Sequence, residues 1–247
     1  MDVYKHMSSC RKSIIPIIDP FKFDNRINID RLLTFQKYAP FCIVASTDCE
    51  NFEMKVSPFI AAVSKIKTIP IITHFPPQKP KGFPSSPHAD AFLATSVINS
   101  NMEYYSSLSL ERESIKQSVQ NYGDNGFISS AALVLGDDEK SQKFVQSKTV
   151  EHSKESISRT LEGIDFDPLN VFYLYSRNSV ISNEICSFVK SIVGDRTLLF
   201  VSGGISNTEQ ANSLLYSGAD FISIGTAFED VNWNNNAMNI LNKERVY

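Results

Sequence analysis

Asp19, in the segment IIDPFKFD, ends a short apolar run; Pro20 fixes the turn after it and Lys22 stands just beyond. A second run ends in VASTDCE, with Ser46, Thr47 and Asp48 at its mouth. If the two runs are neighbouring strands, Asp19 and Asp48 meet around one hard cation. Mg2+ suits such a place, since it takes one or two carboxylates together with phosphate oxygens and water. Lys22 adds a positive charge fitted to a diphosphate. Plainer work would use the same residues: Asp19 to cap a turn, Asp48 to cap a helix that starts near Phe52.

Glycine marks the other end of the chain. VSGGIS stops at Gly203 and Gly204, and ISIGTA stops at Gly225 and Thr226, each after an apolar run. Without a Cβ these residues let main-chain N–H groups approach an oxyanion closely. Ser206-Asn-Thr-Glu209 reads as a capping box, so a helix starting there turns its positive end toward the same place. Tight turns at strand ends would account for either glycine pair taken separately.

The elements that must hold these groups are short. Apolar runs occur at Ser13–Asp19, Phe41–Ser46, Thr68–Phe75, Ala89–Ser96, Phe127–Gly136, Asn170–Ser176, Leu198–Gly203 and Ala219–Gly225. Most are unalternating and β-branched, as in strands covered on both faces of a parallel sheet. Between them, Phe52–Ile66 and Val180–Val193 carry apolar residues at three- and four-residue steps, with Gly194 closing the second and Gly218 closing the helix after Ser206. Eight such βα units in 247 residues predict a single (β/α)8 TIM barrel spanning 1–247, with a doubly wound open sheet as the competitor. In such barrels the loops after strands seven and eight commonly hold a phosphate, which is where the two glycine pairs fall. The polar stretch Gly136–Lys148 and the proline-rich Pro76–Pro87 read as loops.

Composition excludes several classes. A 42% hydrophobic content supplies a full core, and no apolar run nears the roughly 20 residues of a membrane span. The polar start MDVYKHMSSCRK lacks a secretion signal, so a cytoplasmic protein is expected. A net charge of −3 argues against a nucleic-acid surface. Cys10, Cys42, Cys49 and Cys186 have no metal-ligand spacing and read as reduced thiols. His6, His88 and His152 read as structural, whereas His74, at the end of strand three, would face a reaction chamber. Phe92, Tyr104, Tyr105, Tyr122 and Phe127 could line a tunnel or simply be core.

With these residues in hand, the chain resembles the geranylgeranylglyceryl and heptaprenylglyceryl phosphate synthases, which are TIM-barrel prenyltransferases, from Ser13 to Asp230 and most weakly between Ser106 and Asn170. IDPFK, VASTD, His74–Pro76, SGGIS and SGADFISIGTAFED follow the family's order. The block ADAFLATSVINSN (Ala89–Asn101) is the most specific match and brings Asn99 among the substrate-binding positions. The resemblance implies a Mg2+-dependent reaction in which the C1 carbon of a prenyl diphosphate is attacked by a hydroxyl of sn-glycerol 1-phosphate. It places diphosphate and metal near Asp19, Lys22, Thr47 and Asp48, and acceptor phosphate at Ser202, Gly203, Gly204, Gly225 and Thr226. Tyr173 would bond the acceptor or assist its deprotonation; a homodimer is implied by the family alone.

One departure bears on the acceptor. Where the family has Y-L-E-x-G-S-G this chain has YLYSRNS, so Tyr175 takes the place of the glutamate that binds the glycerol hydroxyls, and Arg177 joins the same mouth. An arginine suits an acceptor with an additional negative group, such as 3-phosphoglycerate. Tyr173 and Tyr175 are read as lying on opposite sides of strand six, so that only one faces the interior. Two other functions stay open: a terpene synthase that uses a prenyl diphosphate without an acceptor, and a phosphate-binding barrel without catalysis.

Overall fold

A computed structural model describes residues 2–46, 52–74, 88–102, 105, 126–177, 179–230 and 232–241. Thr47, Asp48, Cys49, the Pro76–Pro87 segment, Tyr104 and Tyr122 therefore lie outside the described residues. Eight parallel strands close into a barrel in chain order: β1 Ser13–Ile18, β2 Cys42–Val44, β3 Ile71–His74, β4 Ala91–Val97, β5 Phe127–Leu135, β6 Val171–Ser176, β7 Leu198–Ser202 and β8 Phe221–Ile224. The TIM-barrel expectation is thereby met. β8 pairs with β1 through Ser13 opposite Phe221 and Pro16 opposite Ile224, so the two ends of the sequence share one seam.

Helices Val3–Ser9 (α1), Asn25–Phe35 (α2), Phe52–Val63 (α3), Glu139–Val145 (α4), Lys154–Leu161 (α5), Asn183–Val193 (α6), Thr208–Tyr216 (α7) and Trp233–Leu241 (α8) accompany the strands. Short polar side chains start several of them. Asp24, Ser153, Ser182 and Asn207 each accept from an amide in the first turn, satisfying donors that a helix cannot pair internally. Two local expectations change. The polar stretch Gly136–Lys148 contains α4, because Asp138 Oδ1 takes the Ser141 N–H at 2.9 Å and nucleates a turn. The capping box shifts by one residue: Asn207, not Ser206, caps α7, and Gln210 reaches back to the Ser206 N–H at 2.9 Å.

Alternate residues of each strand face the lumen, and the register carries that alternation around the barrel. Ile17 is level with Ile43, Ile43 with Ile72, Ile72 with Ala91, Ala132 with Tyr173, Tyr173 with Phe200, and Phe200 with Phe221. Phe41, Phe200 and Phe221 fill the lower lumen with ring centroids 4.7 to 6.2 Å apart, so the lower barrel is a packed core and not a pore. Phe92, on the opposite side of β4, is buried between barrel and helices, which makes it core and not tunnel lining. Cys10, Cys42 and Cys186 are free thiols; burial pushes Cys42 up to about 12 and Cys186 up to about 11, leaving both unreactive. Among the described residues no helix is long and apolar enough to cross a membrane.

Candidate active site

All strand ends of a parallel barrel open on one rim, and the β8–β1 seam brings the first and last sequence motifs together there. Asp19 follows β1 and is 7% exposed. Its Oδ1 accepts the Phe21 N–H at 2.9 Å and its carbonyl accepts from the Lys22 N–H at 3.1 Å, so the turn-capping role is realised with one oxygen. The second carboxylate oxygen has no partner among the described residues. Lys22 Nζ reaches over the rim to Glu229 Oε2 at 3.7 Å, and Glu229 Oε1 lies 3.8 Å from where a Cβ on Gly225 would sit. Asp19, Lys22, Gly225, Thr226 and Glu229 thus form one charged patch. No cluster of three potential metal ligands occurs among the described residues, with Asp48 outside them. Asp19 still fits a magnesium that draws its remaining ligands from phosphate and water, because it offers a fixed, mostly buried carboxylate with one free oxygen.

At the neighbouring β7 end the glycines have a packing reason. Gly203 has φ +95° and Gly204 φ +68°; a Cβ would lie 1.8 Å from the Ser176 carbonyl oxygen at the first and 2.7 Å from Ser179 at the second. The loop after β6 therefore rests directly on the glycine backbone, and the tight-turn reading is satisfied in full. The N–H groups of Gly203, Gly204 and Gly225 nonetheless donate to no carbonyl of the described residues, which leaves them available to an anion. Helix α7 starts at Thr208, later than its sequence suggested, and Asn207 occupies its Gln210 amide. What directly follows Gly225 is a 3-10 turn, Thr226–Phe228. Ser202 Oγ donates to the Ser223 carbonyl at 3.1 Å, binding the two strand ends together.

Around β6 the expectation that Tyr173 and Tyr175 point to opposite sides is overturned. Residues two apart share a strand face, so Tyr175 stands above Tyr173 on the lumen side, one step nearer the rim. Burial raises the Tyr175 phenol above its ordinary value; the nearby Arg177 and Ser141 oppose the rise and the Asp138 carboxylate adds to it. Arg177 Nε lies 3.9 Å from Asp138 Oδ1, while Asp138 Oδ2 is buried without a partner among the described residues. Asn99 turns away from binding work. Its amide nitrogen donates to the Val134 and Lys148 carbonyls at 2.8 and 2.7 Å, and its oxygen accepts the Val134 N–H at 3.1 Å. Both amide hydrogens are used in joining the β4 loop to β5 and to the segment after α4.

The chamber floor is uncharged. The Tyr173 ring packs on Phe200 at 4.8 Å and faces His74 at 5.5 Å, although β6 and β3 are three strands apart around the barrel. Its hydroxyl is buried with no partner among the described residues, as is Ser223 Oγ. Burial pushes the phenol pKa up and the His74 imidazole down to about 4, so both are neutral at physiological pH. Thr95 Oγ1 stands 3.4 Å from His74 Nδ1 and 2.6 Å from Ser130 Oγ.

Glu229, Asp138 and Arg31 were not singled out by the sequence. Arg31 is wholly buried on α2; Nη1 donates to Asn28 Oδ1 at 2.9 Å, and the guanidinium lies 5.0 and 5.8 Å from the Phe23 and Phe35 ring centroids. Burial lowers its pKa, opposed by Cys42, Glu229 and Asp19, and Nε and Nη2 have no partner among the described residues. The signal was the spacing of Asn28, Arg31, Leu32 and Phe35, one stripe of a helix that contains a charge. Glu229 and Asp138 had only the weaker signal of an acid shortly after a strand.

Known proteins share this fold. A geranylgeranylglyceryl phosphate synthase of Ignicoccus hospitalis is 24% identical, covering 93% of each chain. Among solved structures, (S)-3-O-geranylgeranylglyceryl phosphate synthase of Thermoplasma acidophilum, in complex with its substrate sn-glycerol-1-phosphate, superposes with a TM-score of 0.78 at 20% identity over 98% of both chains. The Pyrococcus furiosus tryptophan synthase α2β2 complex provides a more distant barrel, with a TM-score of 0.55 at 13% identity over 94% of this chain and 99% of the other. The PcrB family model matches residues 8–244, nearly the whole barrel from α1 past α8, and on that match the chain belongs to the PcrB family.

Proposed function

We propose that the protein is a prenyltransferase that joins a prenyl group, carried as the diphosphate, to a hydroxyl of a phosphorylated three-carbon acceptor as an ether. The observation that carries this reading is the seam itself: a carboxylate with a free oxygen and a lysine at the end of β1 stand beside amide donors at the ends of β7 and β8. Two phosphorylated substrates can thus enter one chamber from adjacent sides. The acid test of the fold's ancestry points the same way, since the relatives above are named for transfer to glycerol phosphate.

In this reading Asp19 and Lys22, with Thr47 and Asp48, hold the diphosphate end. Asp19 and Asp48 would hold a magnesium ion, which would supply charge neutralisation for the departing diphosphate. The amides of Gly203, Gly204 and Gly225, with Ser202 and Thr226, hold the acceptor phosphate. Tyr173 orients the attacking hydroxyl from the chamber floor. The new bond joins that oxygen to C1, the bond from C1 to the diphosphate breaks, and the hydroxyl proton leaves with the diphosphate. Tyr175 and Arg177 select the acceptor. Arg177 Nε lies 3.9 Å from Asp138 Oδ1, so the carboxylate of 3-phosphoglycerate would compete with Asp138 for the guanidinium.

The test is incubation with labelled farnesyl or geranylgeranyl diphosphate and Mg2+, with sn-glycerol 1-phosphate, 3-phosphoglycerate or neither. An ether product that requires acceptor and magnesium is expected. Hydrocarbon or alcohol formed equally well without acceptor would indicate a terpene synthase. An untouched diphosphate would leave a phosphate-binding barrel. Sedimentation of the same sample tests the homodimer that belongs to this reading.

A further inference from the structure

We infer that Asn28 and Arg31, both on α2 and both wholly buried, are positioning residues for the diphosphate pocket: Arg31 fixes the Asn28 side-chain amide, and that amide holds the turn carrying Asp19 and Lys22. The inference rests on the transferase reading above and extends it to two residues that it leaves without a role.

Hydrogen-bond roles carry it. Arg31 Nη1 lies 2.9 Å from the Asn28 amide, and a guanidinium can only donate, so the atom facing it is Oδ1. The amide nitrogen is thereby turned to the other side, where it donates to the Pro20 carbonyl at 3.3 Å and the Phe23 carbonyl at 2.9 Å. Those two acceptors require the same orientation. A turned-over amide would set its N–H groups against the guanidinium and its oxygen against two carbonyls, losing all three bonds in a buried place. Pro20 and Phe23 flank Phe21 and Lys22, while Asp19 closes the same turn from the β1 side through the Phe21 and Lys22 N–H groups. The guanidinium also lies 5.0 Å from the Phe23 ring centroid, so it touches the far end of the turn directly. An apolar side chain would fill this place on the α2 stripe beside Leu32 and Phe35 without burying a charge whose Nε and Nη2 find no partner among the described residues. What arginine adds is the fixed amide and a positive charge, which burial opposes and the nearby Glu229 and Asp19 carboxylates favour. With the turn set before the ligand arrives, a diphosphate meets Asp19 and Lys22 without reordering the chain that carries them.

The experiment is a calorimetric titration of the full chain with inorganic pyrophosphate and Mg2+, followed by steady-state kinetics. Arg31→Met should weaken pyrophosphate binding about tenfold and raise KM for the prenyl diphosphate to the same extent, with KM for the acceptor held within about twofold. Arg31→Lys, which keeps a charge and a donor for Asn28 Oδ1, should stay within about threefold of the unaltered protein. Asn28→Asp keeps an oxygen for Arg31 but offers the two carbonyls no amide hydrogens, so it should lose at least as much as Arg31→Met. If that chain fails to fold, the two Arg31 variants carry the test. Equal rises in both KM values overturn the inference, because loosened packing of α2 would weaken both sites alike. Weakening by Arg31→Met but not by a folded Asn28→Asp assigns the effect to charge alone and overturns the role of Asn28. Pyrophosphate bound equally by all the proteins overturns the inference and leaves the transferase reading standing. Failure of the unaltered protein to bind pyrophosphate removes the diphosphate pocket, and both fall together.

Discussion

The rim at the β8–β1 seam and the floor beneath His74 and Tyr173 are both polar, yet they are built from different groups. At the rim stand a carboxylate, an ammonium and a second carboxylate, with the Lys22 side chain 48% exposed and Glu229 at 19%. Phenol, imidazole and hydroxyls make the floor, several of them without partners. Water access explains the difference. A charge near solvent retains part of its hydration, whereas the same charge at the floor would lie in a low-dielectric lumen. The floor accordingly holds its titratable groups neutral, with His74 lowered and Tyr173 raised. In the proposed reaction such a site would stabilise separating charge at its mouth and orient an uncharged nucleophile below it.

Asp19→Asn tests the rim most severely. Asparagine keeps an oxygen for the Phe21 N–H and so keeps the turn, but it removes the charge. A fall in kcat/KM of about 100- to 1000-fold is expected, with little change in melting temperature. Activity near that of the unaltered protein would move the diphosphate pocket elsewhere on the rim. Next in size is Gly203→Ala. Its Cβ would sit 1.8 Å from the Ser176 carbonyl at a positive φ, so urea unfolding should show a loss of about 2–4 kcal/mol. Unchanged stability would mean that the β6 loop moves aside freely.

The floor makes a pH prediction. His74 has a folded pKa of about 4 against 6.5 when unfolded, so between those values the unfolded chain binds more protons. Its contribution is therefore present above pH 6.5 and is lost as pH falls toward 4. Relative to His74→Gln, the unaltered protein should lose about 1–2 kcal/mol across that window, measured by denaturant titration at each pH. Parallel pH profiles for the two proteins would show that the imidazole is solvated. Arg31→Met should give the smallest stability effect. Replacing a buried guanidinium that has two unpartnered nitrogens by an apolar chain should change stability by less than about 1 kcal/mol. Activity should still fall, by about tenfold, because Asp19 and Glu229 lose the cation behind them. A variant destabilised by several kcal/mol would instead assign Arg31 to holding α2 on the barrel.

The barrel was readable because each buried strand had to be a continuous apolar run, and eight such runs leave few topologies. Asp19, Lys22 and the glycines were readable for a related reason: polar or bare residues immediately after an apolar run stand at a strand end. The orientation of Tyr175 was misjudged at the level of strand period. Asn99 illustrates a different limit. A buried amide in a distinctive block looks like a ligand contact, but the pairing of its hydrogens with Val134 and Lys148 depends on a neighbouring strand and a distant loop. The burial of Arg31 had a signal in the apolar stripe of its own helix, but its link to Glu229, far along the chain, did not.

By itself the sequence determined that this chain closes eight strands into a barrel and ends several of them in anion-compatible residues, because local hydrophobic pattern and backbone chemistry act within a few residues. Only the tertiary structure decided which ends meet. Closure at the β8–β1 seam set Lys22 beside Glu229, and the narrow lumen set His74 against Tyr173 from three strands away. Those contacts arise from the register and curvature of the whole sheet, a property that no single segment contains.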